Sequence, residues 1–308
     1  MCRLFSPGRS PCLVIRLALL LAAALPAIPA RAETLLLCGM SEVFEIDSAA
    51  PLEKRWSWRA ADRADIPAEL RKTFATTDDC KPVAAGKQVL ISSSSGGCAL
   101  VERPSGRVLW FARVPNAHSI ELLPRDRIVV ASSVHPRGNK LVLFDVARPE
   151  EPLWETALPS AHGVVWDAQR QALWALGFDE LRCYALQDWG GTHPALALTG
   201  TYPLPEEHGH ELQPVPGGAD LALSTQSYVY LFDREARTFR LHPTLGDKSD
   251  VKCVATHPES GRLMMIRGEQ GEWWSHHVYL FNPDAQLSLP DERLYKGRWL
   301  PEQPARRN

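Results

Sequence analysis

The amino-acid sequence predicts an all-β fold, a six-bladed β-propeller of four-stranded antiparallel blades, its ring closed by pairing of the two chain ends. Apolar runs suited to second strands recur six times, at Thr34–Leu37, Gln88–Ile91, Arg127–Val130, Ala172–Ala175, Asp220–Leu223 and Arg262–Met265. Their spacing of roughly forty to fifty residues is a propeller period. Each is followed by a second run, at Val43–Asp47, Ala99–Glu102, Leu141–Asp145, Leu181–Tyr184, Tyr228–Asp233 and Val278–Asn282. Most of these end in Asp or Asn, whose side chains satisfy the backbone of the turn that follows. A four-stranded sheet of this kind buries both faces only by stacking against neighbours in a closed circle.

In chain order, residues 1–32 read as a secretory signal peptide. Arg3, Arg9 and Arg16 give a basic start, Leu17–Ala24 is an apolar run too short to span a bilayer, and Ala30-Arg31-Ala32 supplies a small-x-small cleavage pattern. Cys12 precedes the apolar run, so there is no lipobox. The expectation is a periplasmic or secreted protein that starts near Glu33, has no membrane span after cleavage, and folds as a single propeller domain over 33–308. Because that chain begins almost at once with a second strand, the innermost strand of the first blade must come from elsewhere. Arg298-Trp299-Leu300 is the candidate, and such closure removes exposed sheet edges. Outer strands carry aromatic residues, as in Lys54–Trp58, Arg107–Phe111 and Pro152–Glu155. Between the first two blades, residues 61–77 place Ile66, Leu70 and Phe74 at helical spacing behind Pro67, which predicts a short amphipathic helix. The Gly-rich stretch 187–193 reads as a surface loop.

A formal net charge of −2 over 308 residues gives no cationic face for a phosphate backbone, which excludes nucleic acid as a partner. Of seven cysteines, Cys2 and Cys12 lie in the leader. Cys38, Cys80, Cys98, Cys183 and Cys253 remain, odd in number and irregular in spacing, so neither a disulfide framework nor a zinc finger is written. Small apolar residues on strands are their expected role.

A short phrase recurs at the start of five units: Asp79-Cys80-Lys81, Asn116-Ala117-His118, Ser160-Ala161-His162, His208-Gly209-His210 and Asp250-Val251-Lys252. Each opens the strand that lines the axial channel, which predicts one ring of Lys and His side chains where ligands of propellers bind. His118, His162 and His210 are then candidate ligands of one divalent metal, of which Mn, Zn and Ca are the options. Lys81 and Lys252 would pair with an anionic ligand, and His208 is the candidate general base, since imidazole titrates near neutrality. Trp273 and Trp274 offer faces on which a sugar ring can stack. The competing reading is that such histidines hydrogen-bond neighbouring blades and fix their packing. Ser92–Gly97 lacks both the nucleophile-elbow and phosphate-loop spacings and reads as a hairpin turn.

Asp78-Asp79-Cys80-Lys81, Pro115–Pro124 with Val129–Ser133, Ala161–Asp167 and Gly209–Leu212 resemble the phrases of a bacterial six-bladed propeller family of unknown function. That likeness spans nearly all of the mature chain and implies a fold but no activity. His208-Gly209-His210 is also similar to the His-x-His pair of the oligogalacturonate lyases, propellers with a histidine-bound metal in the axial cavity. This more distant resemblance implies a metal and a lysine that neutralise a uronate carboxylate while a base removes the adjacent proton. Two functional readings stand. One is a secreted propeller that binds a small anionic ligand such as an acidic saccharide in a His/Lys-lined axial pocket, with metal-assisted polysaccharide lyase or hydrolase chemistry as its catalytic form. The other is a non-catalytic scaffold for a protein partner with a structural His ring.

Overall fold

The computed structural model describes Met1, residues 33–49 and residues 51–301; the expected signal peptide therefore lies, apart from Met1, outside the described residues. Six four-stranded antiparallel sheets form the blades. Their innermost strands are Lys296–Trp299, Thr77–Val83, Ala117–Leu123, Gly163–Asp167, Glu211–Pro214 and Val251–Thr256, for blades 1 to 6, and they touch one another in cyclic order. Blades 2 to 6 are each built from four consecutive strands, whereas blade 1 joins Thr34–Gly39, Glu42–Asp47 and Trp56–Trp58 to a strand from the far end of the chain.

That closure is the expected one. Leu35 pairs with Trp299, Leu36 with Arg298, Leu37 with Gly297 and Cys38 with Lys296. Trp299 donates its indole N–H to Ala255 O of blade 6 at 3.1 Å, so the closing strand is tied to both neighbours. Gly297 has no room for a side chain: a Cβ there would lie 2.7 Å from Leu37 Cδ2.

The core is divided into six apolar clusters, one in each cleft between adjacent blades. Between blades 6 and 1, for example, Leu35, Phe44, Met264 and Leu280 are almost wholly buried. Each such side chain contributes about 1.5–3 kcal/mol relative to an exposed one. Strands that are hydrophobic on both faces, like Leu35-Leu36-Leu37, follow directly, because their two faces meet two different clefts.

The helical insertion is shorter than predicted. One α-helical turn, Ala68–Arg71, is flanked by 3₁₀ turns at Ala60–Asp62 and Lys72–Phe74, and Thr77 already belongs to the inner strand of blade 2. No side chain caps the helix and Pro67 closes its N-terminal side, so nothing extends it. The apolar stripe nonetheless does what its spacing implied. Ile66, Leu70 and Phe74 are buried in the cleft between blades 1 and 2, with Phe74 edge-on to Trp58 at 5.3 Å. All five described cysteines are unpaired, and all but the half-buried Cys183 are buried. Burial pushes the Cys253 thiol up to about 12, away from reactivity. Among the described residues no helix is long and apolar enough to cross a membrane.

Candidate functional site

The inner strands of blades 2, 3 and 6 open with the same distortion. In blade 3, Ala117 pairs with Ser132 and Ser119 with Ala131, which leaves His118 as the extra residue of a β-bulge. Asp78 in blade 2 and Lys252 in blade 6 occupy the same extra position. In blades 4, 5 and 1, His162, His210 and Tyr295 donate their backbone N–H to Leu176, Ser224 and Cys38, the residues with which their successors pair. One structural position thus holds Tyr295, Asp78, His118, His162, His210 and Lys252 around the channel. Two residues upstream, Asn116, Ser160, His208 and Asp250 have positive φ (49°, 47°, 66° and 58°). These left-handed residues swing the chain into the channel, a conformation that Asn and Asp tolerate well, and the bulge then re-aims the side chain that follows.

The predicted equivalence of Lys81 with this ring is therefore corrected. Blade 2 contributes Asp78, and Lys81 lies three residues further along the strand. Asp79-Cys80-Lys81 and Asp250-Val251-Lys252 match in residue type, but strand pairing sets the register. Blade 2 is entered from the helical insertion rather than through a left-handed turn, so its opening phrase carries no equivalent of Asp250.

At the mouth the side chains meet in sequence. His118 and His162 stack with ring centroids 4.2 Å apart and planes 21° apart, and His162 meets His210 edge-on at 5.1 Å. Lys252 Nζ lies 3.4 Å from His210 Nε2. On the other side, His118 Nδ1 lies 3.0 Å from Asp78 Oδ1, close but without hydrogen-bond alignment. Tyr295 sits 6.3 Å from His118, and Trp273, 40% exposed, packs edge-on against Tyr295 at 5.5 Å. His162 donates Nδ1–H to Ser160 O at 2.8 Å, which leaves Nε2 as the lone-pair nitrogen. Burial holds the His162 imidazole well below its ordinary range, and His118 and His210 push it the same way. Burial also lowers His210, with Lys252 as the next cause, so both rings are neutral at pH 7. Lys252 is pulled down by burial too. Its ammonium has no carboxylate partner among the described residues, and His210 Nδ1 is buried without any partner.

One residue deeper, the charges answer one another. Arg298 bridges the channel, with its guanidinium 2.6 Å from Asp79 Oδ1 and 3.2 Å from Glu211 Oε2. Lys296 lies 3.7 Å from Glu211, and Ser119 donates its hydroxyl to the second oxygen of Asp79 at 2.8 Å. Lys81 donates to Glu121 at 3.1 Å and to Val164 O, so its ammonium is engaged inside the fold. Burial opposes the charge on Asp79, but Arg298, Lys81 and Lys296 outweigh it and hold the carboxyl low. For Arg298 burial is likewise outweighed by Asp79 and Glu211.

The three ring histidines do not fit a shared metal as they stand. An imidazole lone pair lies in the ring plane, so two stacked, nearly parallel rings aim theirs side by side rather than at one point. Among the described residues no set of three His, Cys, Asp or Glu is arranged to hold an ion. His208 stands outside the ring, exposed, with its imidazole edge-on to Phe178 at 4.6 Å. Trp274 packs against His276 at 4.9 Å beneath the Arg293 guanidinium. The residues that sequence reasoning missed are Asp78, Tyr295, Lys296 and Arg298. Asp78 was within reach as the neighbour of Asp79, whereas the closing strand carries no copy of the repeat phrase.

The chain belongs to DUF6528, a family of unknown function whose model matches residues 27–304. No curated protein sequence matches it, and nothing in these comparisons extends the likeness to the oligogalacturonate lyases.

Proposed function

We propose that this propeller binds a small anionic ligand, with an acidic saccharide as the leading class, at the mouth of the channel where Lys252 and the imidazoles gather. The observation that carries this reading is Lys252. The residue is 7% exposed, yet its ammonium has a neutral imidazole nitrogen as its hydrogen-bond neighbour. Asp250 favours the charge, yet burial outweighs it; burying a cation without a contacting carboxylate is costly, and an arriving carboxylate reduces that cost. His162 and His210, neutral in the free protein, gain protons more readily beside an anion, so they strengthen the site as pH falls. Trp273, exposed beside Tyr295, offers a face to the sugar ring. The lone pair of His162 Nε2 suits removal of a proton next to a carboxylate, which is the lyase form of the same reading. The basic, apolar and small-x-small segments of residues 1–32 support export, so a periplasmic or extracellular saccharide is the natural ligand.

Calorimetry with galacturonate, glucuronate and galactose tests this. Both uronates should bind, galactose should not, and Lys252→Met should weaken uronate binding at least about tenfold, or about 1.4 kcal/mol. Unsaturated-product absorbance with a uronate polymer then separates turnover from binding. No heat with either uronate would sink the ligand reading and leave the protein-scaffold alternative.

A further inference from the structure

We infer a second ligand site, at the opposite end of the channel, which takes a neutral polyhydroxylated ring of about hexose size. The inner strands of all six blades run out into a cavity of about 320 Å³, at the small end of the range for ligand pockets. Its floor is the far side of the charged belt, formed by Lys81, Glu121 and Arg298. Its wall is apolar, built from Trp166 and from prolines at or just past the ends of the inner strands, such as Pro214 and Pro258.

The floor decides the ligand's charge. Lys81 is held by Glu121 and Val164 O, and Arg298 by Asp79 and Glu211, so the cations have their counter-charges already. An anion would meet the Glu121 carboxylate, and a cation would meet Lys81 and Arg298. What the cavity does offer is hydrogen bonding to neutral groups. Gln213 donates its amide to Glu211 at 3.3 Å, which leaves the carbonyl Oε1 as an acceptor, and Thr256 brings a hydroxyl. Glu121 uses Oε1 for Leu122 N and Oε2 for Lys81, and each oxygen keeps a further lone pair. Acceptors on the floor suit ring hydroxyls, and an indole on the wall suits the C–H face of a sugar. The site is independent of the cationic mouth, which lies beyond the belt.

Saturation-transfer NMR on the full-length protein, with glucose, galactose, mannose and cellobiose as probes, tests the inference. At least one should receive saturation at its ring C–H protons, with affinity reduced at least tenfold both by Trp166→Ala, which removes the stacking face, and by Thr256→Trp, which fills the cavity. Galacturonate should not compete. The inference is overturned if none of the four sugars receives saturation, if the signal survives both substitutions in variants that retain the wild-type circular dichroism spectrum, or if galacturonate displaces the sugar.

Discussion

The ring at the channel mouth and the charged belt beneath it share inner strands, the belt lying one to three residues further along those of blades 1, 2, 3 and 5, yet they meet opposite fates. In the belt, Arg298 lies between Asp79 and Glu211, Lys296 beside Glu211, and Lys81 on Glu121. In the ring, Lys252 has His210 Nε2 as its hydrogen-bond neighbour and Asp250 as the more distant carboxylate, and His210 Nδ1 has no hydrogen-bond partner among the described residues. The belt's charges close the ring of blades, because Arg298 sits on the closing strand and reaches both blade 2 and blade 5. At the mouth no carboxylate among the described residues reaches Lys252 in the same way. Equivalent burial and equivalent residue types therefore do not imply equivalent roles, and the presence or absence of a partner separates them.

The largest effect expected from this contrast is on stability. Arg298→Met leaves Asp79 and Glu211 buried without their main counter-charge, and should cost about 3–5 kcal/mol, measured by urea unfolding. A loss below about 1 kcal/mol would mean that the belt is not what holds the ends together. Next in size is Lys252→Met. It should raise unfolding stability, by about 1 kcal/mol or more, while affinity for galacturonate falls as stated above. A large stability loss would move Lys252 into the belt's class.

A smaller effect comes from pH. His162 and His210 are held below the ordinary value of 6.5, so the unfolded chain takes up protons near that pH while the folded protein does not. Stability should be complete above pH 6.5 and fall as pH drops toward the depressed folded values. The slope is about 1.4 kcal/mol per pH unit for each histidine. His162→Gln and His210→Gln should flatten the slope, and saturating galacturonate should offset it. An unchanged slope in both variants would show that these rings do not titrate with folding. The smallest effect is expected of His208→Ala. That ring is exposed and meets Phe178 edge-on, so unfolding stability should change by less than about 0.5 kcal/mol.

Much of this architecture was legible in the chain. Runs such as Leu35-Leu36-Leu37 and Leu141-Val142-Leu143 announce strands buried on both faces, and the lack of an inner strand at the start of blade 1 points to Arg298-Trp299. His118, His162, His210 and Lys252 were likewise visible as a recurring phrase, and they lie side by side at one end of the channel. Lys81 was misplaced because the same phrase in blade 2 sits in a different register, and a shift of three residues is invisible to residue type. Tyr295 and Lys296 escaped notice because they belong to no phrase, and they reach the site only through the pairing of chain termini.

The sequence by itself determined the period, the blade count, the closing strand and which histidines recur, since these depend on local patterns of apolarity and turn residues that neighbouring residues enforce on one another. Only the tertiary structure decided which charges have partners, because partners such as Arg298 and Asp79 are 219 residues apart and meet through ring closure alone. It also decided that His118 and His162 stack rather than converge, since the angle between two rings is set by the packing of two blades and is written in neither strand.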